Sequence, residues 1–150
     1  MRTFDTLAEL AACAGQEIAV TDWHTMTQQN IDQFAEATGD HQWIHVDPER
    51  AKAGPFGTTI AHGYLTLSML AGFLGGAAKV KEVRMGINYG LNKVRFMAPV
   101  PVGSRLRARV ELLEATPMEG GLQMAWRTTI EREGSDKPVC VAEPLSRFYV

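Results

Sequence analysis

The chain has little cysteine, and the two cysteines that it has do not form a pattern. Among its 150 residues, Cys13 and Cys140 lie far apart and in no spacing typical of a metal or redox site. A disulfide-stabilised secreted domain and a cysteine-based zinc site are therefore both disfavoured. We expect two free thiols in a reducing compartment, which makes the cytoplasm the expected location.

Concentrated charge and long apolar runs are also missing. Fifteen basic and 17 acidic residues are scattered along the chain, without the basic stripe that nucleic-acid binding or an anionic membrane requires. The longest stretch without these charged residues, 53–78, is interrupted by Pro55, His62 and several glycines, so it is too short an apolar run to span a bilayer. Asp5 and Glu9 make the N-terminal segment a poor signal peptide.

The order of hydrophobic patterns indicates the fold class. Up to Ala78 the pattern is that of helices with loops, and from Val80 onward it is that of successive strands. "HGYLTLSMLAGFLGGAA" is apolar nearly all round, which predicts a helix buried on every side. "SRLRARVELLEA" alternates between apolar and charged residues, as a strand with one solvated face does. We predict a single α+β domain over residues 1–150, with helices packed on an antiparallel sheet.

Several residues predict where these elements begin and end. Thr27 is suited to cap a helix that stops at Gly39. Asp47 and Pro48 are typical of the cap and first turn of a short helix, "DPERAKA". Pro144 lies inside the last predicted strand, which requires an edge position or a bulge because proline cannot donate a ladder hydrogen bond.

The stretch "ATGDHQWIHVDPERA" carries the first candidate site. Asp40 and His45 can hold a water between them and move its protons, because a carboxylate and a group that titrates near neutrality form a workable acid/base pair. Spacing alone favours the simpler alternative, in which Asp40 caps a turn and His45 is a half-buried, hydrogen-bonded side chain.

The same stretch offers a second arrangement, a metal site. His41 and His45 are four residues apart, a ligand spacing that needs a helix. Gly39 before them and Pro48 after them argue against a regular helix, and no glutamate follows His41 to complete a zinc-protease pattern. We predict no metal here.

"TTIAHGYLTL" contains the second candidate, Gly63, at the start of the apolar helix. Free N–H groups at a helix N-terminus can stabilise a developing oxyanion, and glycine lets a substrate approach closely. The alternative is that Gly63 only permits tight entry into the helix. His62 is interpreted as a structural hydrogen-bonding residue. On the strand "NYGLNKVRF", Lys93 and Arg95 can meet substrate phosphates, or they can be solvated surface residues.

Taken together, these motifs resemble the MaoC-like, (R)-specific enoyl-CoA hydratase family, and within it the single-domain branch similar to nodulation protein N. The hydratase motif of that family is matched by Phe34, Gly39, Asp40, His45 and Ala51. "HG" at the start of the apolar helix, "NYGLNKVRF" and "PVPVGS" extend the resemblance over nearly the whole chain. One departure is Gln42-Trp43, where the commonest form of the motif has Asn-Pro.

The resemblance implies a hot-dog fold, with one long helix enclosed by a curved antiparallel sheet, and a homodimer. It implies reversible addition of water to a trans-2-enoyl-CoA thioester, which gives an (R)-3-hydroxyacyl-CoA without a metal or redox cofactor. Asp40 and His45 would then hold one water and share the acid and base roles, and the Gly63 N–H would bind the thioester oxygen.

The substrate adds further expectations, because an acyl chain needs an apolar tunnel. Trp43, Phe56 and Tyr64 are candidate walls of that tunnel, with core packing as the alternative for each. Gln42 still offers an amide that can orient a water or a neighbouring group. Two other functions remain open: a hot-dog acyl-CoA thioesterase, and a non-catalytic acyl-CoA-binding subunit.

Overall fold

Long antiparallel strands in the second half of the chain form the main sheet. The computed structural model describes all 150 residues. The strands of this sheet are β2 (Gln16–Val20), β3 (His24–Thr25), β5 (Met85–Phe96), β6 (Arg105–Met118), β7 (Gly121–Arg132) and β8 (Cys140–Tyr149). They have the order β2-β6-β7-β8-β5, and β3 pairs with β6 beside β2. A separate parallel pair joins β1 (Arg2–Phe4) to β4 (Ala78–Val80).

The helices lie in the first half of the chain. They are α1 (Leu7–Ala11), α2 (Gln28–Thr38), α3 (Trp43–Val46), α4 (Pro48–Lys52), α5 (Gly63–Ser68) and α6 (Leu70–Ala77). Segments α5 and α6 form the central helix, which packs on the curved antiparallel sheet. This arrangement confirms the predicted hot-dog fold. None of the helices has the length and apolar character that crossing a membrane requires.

Alternating side chains of β6 show why the sheet and the helix hold together. Leu106, Ala108 and Val110 are completely buried, whereas Arg105 and Arg109 are exposed. The apolar side of β6 belongs to a core cluster of 24 buried residues that also includes residues of α6. The predicted period-two alternation of this strand is therefore confirmed, and burial of its apolar face favours the fold.

The central helix differs from the prediction in two ways. It is interrupted at Met69, which keeps a right-handed helical conformation between α5 and α6. It is also not buried all round within one chain: Phe73 and Ala77 face the core, while Tyr64 is 70% exposed and Gly72 is exposed. The prediction of burial on every side was wrong, because the sheet covers only one side of this helix.

Strand pairing accounts for two further differences. The short strands β1 to β3 were not predicted, because their pairing depends on partners at least 70 residues further along the chain. Pro144 lies in β8, between β7 and β5, so the suggested edge position is wrong. The suggested bulge is present, since the register of β5 against β8 shifts between Leu91, the partner of Pro144, and Val94.

Candidate active site

Asp40 is placed by the end of α2. Thr27 caps this helix as predicted, and Gly39 ends it in the left-handed region at φ 78°. The chain therefore turns sharply and leaves Asp40 exposed in the loop that follows. Its carboxylate Oδ1 accepts a hydrogen bond from the Gln42 backbone N–H at 3.3 Å, and its backbone carbonyl accepts one from His62 Nε2 at 3.0 Å.

His45 is held more tightly than Asp40. It lies on the single turn of α3 and is 6% exposed. Its Nδ1 is 2.7 Å from the Ile60 carbonyl oxygen, which can only accept, so Nδ1 carries the proton and Nε2 is left with a free lone pair. Its own carbonyl accepts a hydrogen bond from Gln28 Nε2 at 2.8 Å, which ties α3 to α2.

Asp40, His45 and His62 converge. One side-chain nitrogen or carboxylate oxygen from each lies within 4.8 Å of the others. Burial is the main cause that lowers the pKa of His45 below its ordinary value of 6.5, and His62 adds to the lowering, while the bond to Ile60 and the charge of Asp40 oppose it. His45 is therefore neutral at pH 7 and available as a base next to a carboxylate.

These three residues are also the ones that could hold a metal ion. The rings of His45 and His62 are stacked, however, with centroids 3.8 Å apart and an angle of 24° between their planes. Imidazole lone pairs lie in the ring plane, so two nearly parallel rings direct them side by side instead of toward one ion about 2.1 Å away. This geometry disfavours one metal ion held by both rings.

A cavity of about 340 Å³ opens beside His45. It is mostly apolar, and its wall includes Phe56 and Gly63. The structure thus places the proposed base, the predicted oxyanion donor and one predicted tunnel residue on a single cavity. Phe96 also lines it, and a Cβ added at Gly63 would lie 3.3 Å from the Phe96 ring.

The other predicted substrate-binding residues lie outside this cavity. Trp43 packs against Gly54 and beneath the Arg50 guanidinium, which is 4.5 Å from its ring centroid. Gln42 is exposed and occupies the N-cap position of α3, but its side chain makes no capping hydrogen bond. Tyr64 is exposed and meets the Phe96 ring edge-on at 6.1 Å. Their roles in substrate binding stay predictions.

The two basic residues predicted to meet phosphates are exposed on β5. Arg95 directly precedes Phe96 in the strand, so it projects from the opposite face, whereas Lys93 lies within the bulge between Leu91 and Val94. Strand β5 is the last strand of the sheet, so its outer edge is open. A ligand can reach the face that carries Arg95 around this edge. Their contact with phosphate also stays a prediction.

The remaining ionisable residues of the motif have local roles. His41 is exposed and its Nε2 is 2.8 Å from the Glu36 carboxylate, a hydrogen bond that raises the pKa of His41. Asp47 accepts a hydrogen bond from the Arg50 backbone N–H at 3.0 Å and caps α4, as predicted. Neither residue belongs to the converging group.

Sequence reasoning underrated His62 and missed Phe96. His62 was expected only to form structural hydrogen bonds, yet its ring stacks on His45. The one available signal was its position directly before Gly63. Phe96 ends the quoted stretch "NYGLNKVRF", but nothing in the sequence indicates its contact with Gly63, which joins residues 33 positions apart.

A curved antiparallel sheet packed on a central helix, with a carboxylate and an imidazole close together near the start of that helix, is the arrangement of the hot-dog class of enzymes. The family model described as "MaoC like domain" matches residues 9–133. The chain belongs to this MaoC-like family of hydratases and dehydratases, and the predicted membership and enzyme class are confirmed.

Individual relatives agree with this placement. The chain is 57% identical over 149 residues to 3-hydroxyacyl-thioester dehydratase Z of Mycobacterium tuberculosis, with 99% of each chain covered. It is 46% identical over 140 residues to nodulation protein N of Rhizobium leguminosarum bv. viciae, covering 91% of this chain and 87% of the relative. The solved (R)-hydratase from A. caviae, involved in PHA biosynthesis, superposes with a TM-score of 0.71 at 26% identity, covering 89% of this chain and 94% of that one.

Proposed function

We propose that this protein adds water reversibly to a trans-2-enoyl-CoA thioester and gives an (R)-3-hydroxyacyl-CoA. The observation that carries the proposal is the convergence of Asp40 with a buried, neutral His45 beside the apolar cavity. The similarity to a 3-hydroxyacyl-thioester dehydratase and to an (R)-hydratase supports the thioester substrate and the stereochemistry.

The proposed reaction adds the hydroxyl group of one water to the β carbon and a proton to the adjacent α carbon. Asp40 and His45 hold the water, and Nε2 of His45 accepts a proton from it while its oxygen bonds to the β carbon. The electron pair of the double bond moves toward the thioester, whose oxygen accepts a hydrogen bond from the Gly63 N–H. The α carbon then takes a proton from protonated His45, which returns to its neutral form, and the addition is syn.

Asp40 has a second role in this scheme, because its carboxylate lies near His45. While His45 carries the proton, the negative charge of Asp40 stabilises the imidazolium. The acyl chain would occupy the cavity beside Phe56, with the CoA end in solvent, where Lys93 and Arg95 can meet its phosphates. No step needs a metal or redox cofactor, because the thioester itself accepts the electrons.

We propose that the active form is a cytoplasmic homodimer. Strand β5 ends the sheet with an unpaired edge and carries exposed apolar side chains, among them Ile87, Tyr89 and Leu91. A long apolar edge strand invites pairing with another chain, and pairing of two copies would cover it.

Crotonyl-CoA and a longer trans-2-enoyl-CoA provide the direct test. We expect loss of the enoyl absorbance without release of free thiol, and chiral analysis should identify the (R)-3-hydroxyacyl product. The rate should be the same after treatment with a chelator. Thiol release would favour the thioesterase alternative, and binding without turnover would favour a non-catalytic acyl-CoA-binding subunit.

A further inference from the structure

His62 connects the two residues of the proposed acid/base pair. It precedes α5 and is 2% exposed. Its Nε2 donates to the Asp40 carbonyl oxygen at 3.0 Å, and its ring stacks on His45 at 3.8 Å. On the same ring, Phe34 makes a tilted contact at 4.9 Å. The His62 side chain therefore contacts both the main chain of Asp40 and the ring of His45.

The hydrogen bonds of His62 leave one of its nitrogens unused. Because the Asp40 carbonyl can only accept, Nε2 of His62 carries the proton and Nδ1 is an acceptor. Nδ1 is buried and has no hydrogen-bond partner in the protein. A buried acceptor without a partner costs free energy, so hydrogen bonding alone does not explain why a histidine lies here.

The stack also affects which form of His45 is stable. Two imidazolium rings 3.8 Å apart would repel each other strongly, so His62 disfavours protonation of His45. The ionisable groups that act on His45 are His62 and Asp40, with opposite effects, and the remaining residues around its cavity are not ionisable.

We propose that His62 is a positioning residue of the hydration reaction, which holds the Asp40 main chain and the His45 ring in one fixed arrangement. The inference rests on the proposed hydratase function. His62 touches neither the water nor the substrate in this scheme. It affects the reaction by fixing the orientation of the His45 ring and the position of the loop that carries Asp40.

Two substitutions separate the contributions of the ring and of the hydrogen bond. His62→Gln keeps an amide N–H that can reach the Asp40 carbonyl but removes the stacked ring. His62→Leu removes both. We expect kcat/KM to fall about 10- to 100-fold in His62→Gln, mainly through kcat, and further in His62→Leu. His41→Gln is the matched control, because it removes an exposed histidine of the same loop.

The decisive readout is the titration of His45, followed by NMR without substrate. The chain has four histidines, so single substitutions assign their signals. In His62→Gln we expect His45 to titrate at higher pH than in the wild type, because repulsion and burial both decrease. The acidic limb of the kcat/KM profile should move in the same direction, while His41→Gln leaves both unchanged.

Two failures can be told apart in this design. If His45 titrates at the same pH in the wild type and in a folded His62→Gln variant, the positioning role is overturned. If the wild type does not hydrate enoyl-CoA, the proposed function fails, and the NMR titration still measures the effect of His62 on His45.

Discussion

A buried imidazole beside an exposed carboxylate is the central chemical feature of this protein. His45 is fixed by hydrogen bonds at its ring and at its carbonyl, whereas Asp40 is fixed mainly through its backbone. The carboxylate thus keeps access to solvent, while the imidazole is held in one orientation. Preorganisation of this kind lowers the reorganisation needed during proton transfer.

Removal of either member of the pair should abolish most of the activity. We expect Asp40→Asn and His45→Gln each to lower kcat for enoyl-CoA hydration by about 100-fold or more, because His45→Gln removes the proton-transfer group and Asp40→Asn removes the charge that helps to hold the water and stabilises the imidazolium. His41→Gln should remain near the wild-type rate, since His41 bonds only to Glu36. Steady-state assays with circular dichroism as a check of folding measure this. Near-normal turnover in either site variant would refute the assigned roles.

The lowered pKa of His45 also predicts how stability depends on pH. In the unfolded chain His45 binds a proton near pH 6.5, whereas the folded protein binds it only at lower pH. His45 therefore contributes stability that is present above pH 6.5 and is lost as the pH falls through the folded-state pKa. Urea unfolding at several pH values should show a shallower acidic loss of the free energy of unfolding in His45→Gln than in the wild type.

The opposite sign is expected for His41, which makes a useful comparison. Its pKa is raised by Glu36, so its contribution is present below pH 6.5 and is lost as the pH rises through the folded-state pKa. The pH dependence of the free energy of unfolding should thus differ between His41→Gln and His45→Gln.

The outcome that would contradict the assignment of His45 as a buried neutral base is a free energy of unfolding that falls with acid equally steeply in His45→Gln and in the wild type.

At the scale of elements, the site lies where several short segments meet. Helix α2 ends at Gly39, α3 supplies His45, and α5 begins at Gly63. The segment before α5 is anchored to the chain that follows β5, since the Ala61 N–H donates to the Val100 carbonyl and Ile60 forms a bridge with Pro101. This anchor places the Ile60 carbonyl against His45.

The start of α5 yields a prediction about substrate approach. Gly63→Ala would bring a methyl group within 3.3 Å of the Phe96 ring, at the wall of the cavity. We expect the fold to persist, because Phe96 is partly exposed and can shift, and kcat/KM to fall about 10- to 100-fold through misplacement of the thioester. Thermal melting and steady-state kinetics test both expectations.

Gly72→Ala is the matched control for this substitution. It lies on the exposed side of α6, and a Cβ there meets nothing within 4 Å. The control should keep wild-type kinetics and gain a little stability, since alanine favours a helix more than glycine does. A Gly63→Ala variant with wild-type kcat/KM would show that the substrate does not approach this residue.

For the whole molecule, the open edge of β5 predicts self-association. We expect the wild type to sediment at twice the 16.5 kDa mass of one chain. Leu91→Lys places a charge on the apolar edge and should shift the equilibrium toward monomer. Glu119→Lys, in the exposed turn between β6 and β7, changes charge away from that edge and should leave the mass unchanged. A monomeric wild type at micromolar concentration would contradict the proposed dimer.

Local patterns in the sequence determined a large part of this protein. The capped helix from Thr27 to Gly39, the alternating strand β6 and the cap at Asp47 depend on residues a few positions apart, so they can be read from the chain. The motif also predicted that Asp40 and His45 lie close together, as they do, while their catalytic role stays a prediction. Spacing indicated that the two could meet, but it did not establish that they do.

Tertiary structure alone decided the features that join distant residues. The stack of His62 on His45, the contact of Phe96 with Gly63 and the interior position of Pro144 each depend on how separate elements pack. Tertiary packing also decided which side of the central helix is exposed, because a helix that is apolar nearly all round gives no indication of the face that a sheet will cover. Such contacts carry no local periodicity, so they become visible only when the chain has folded.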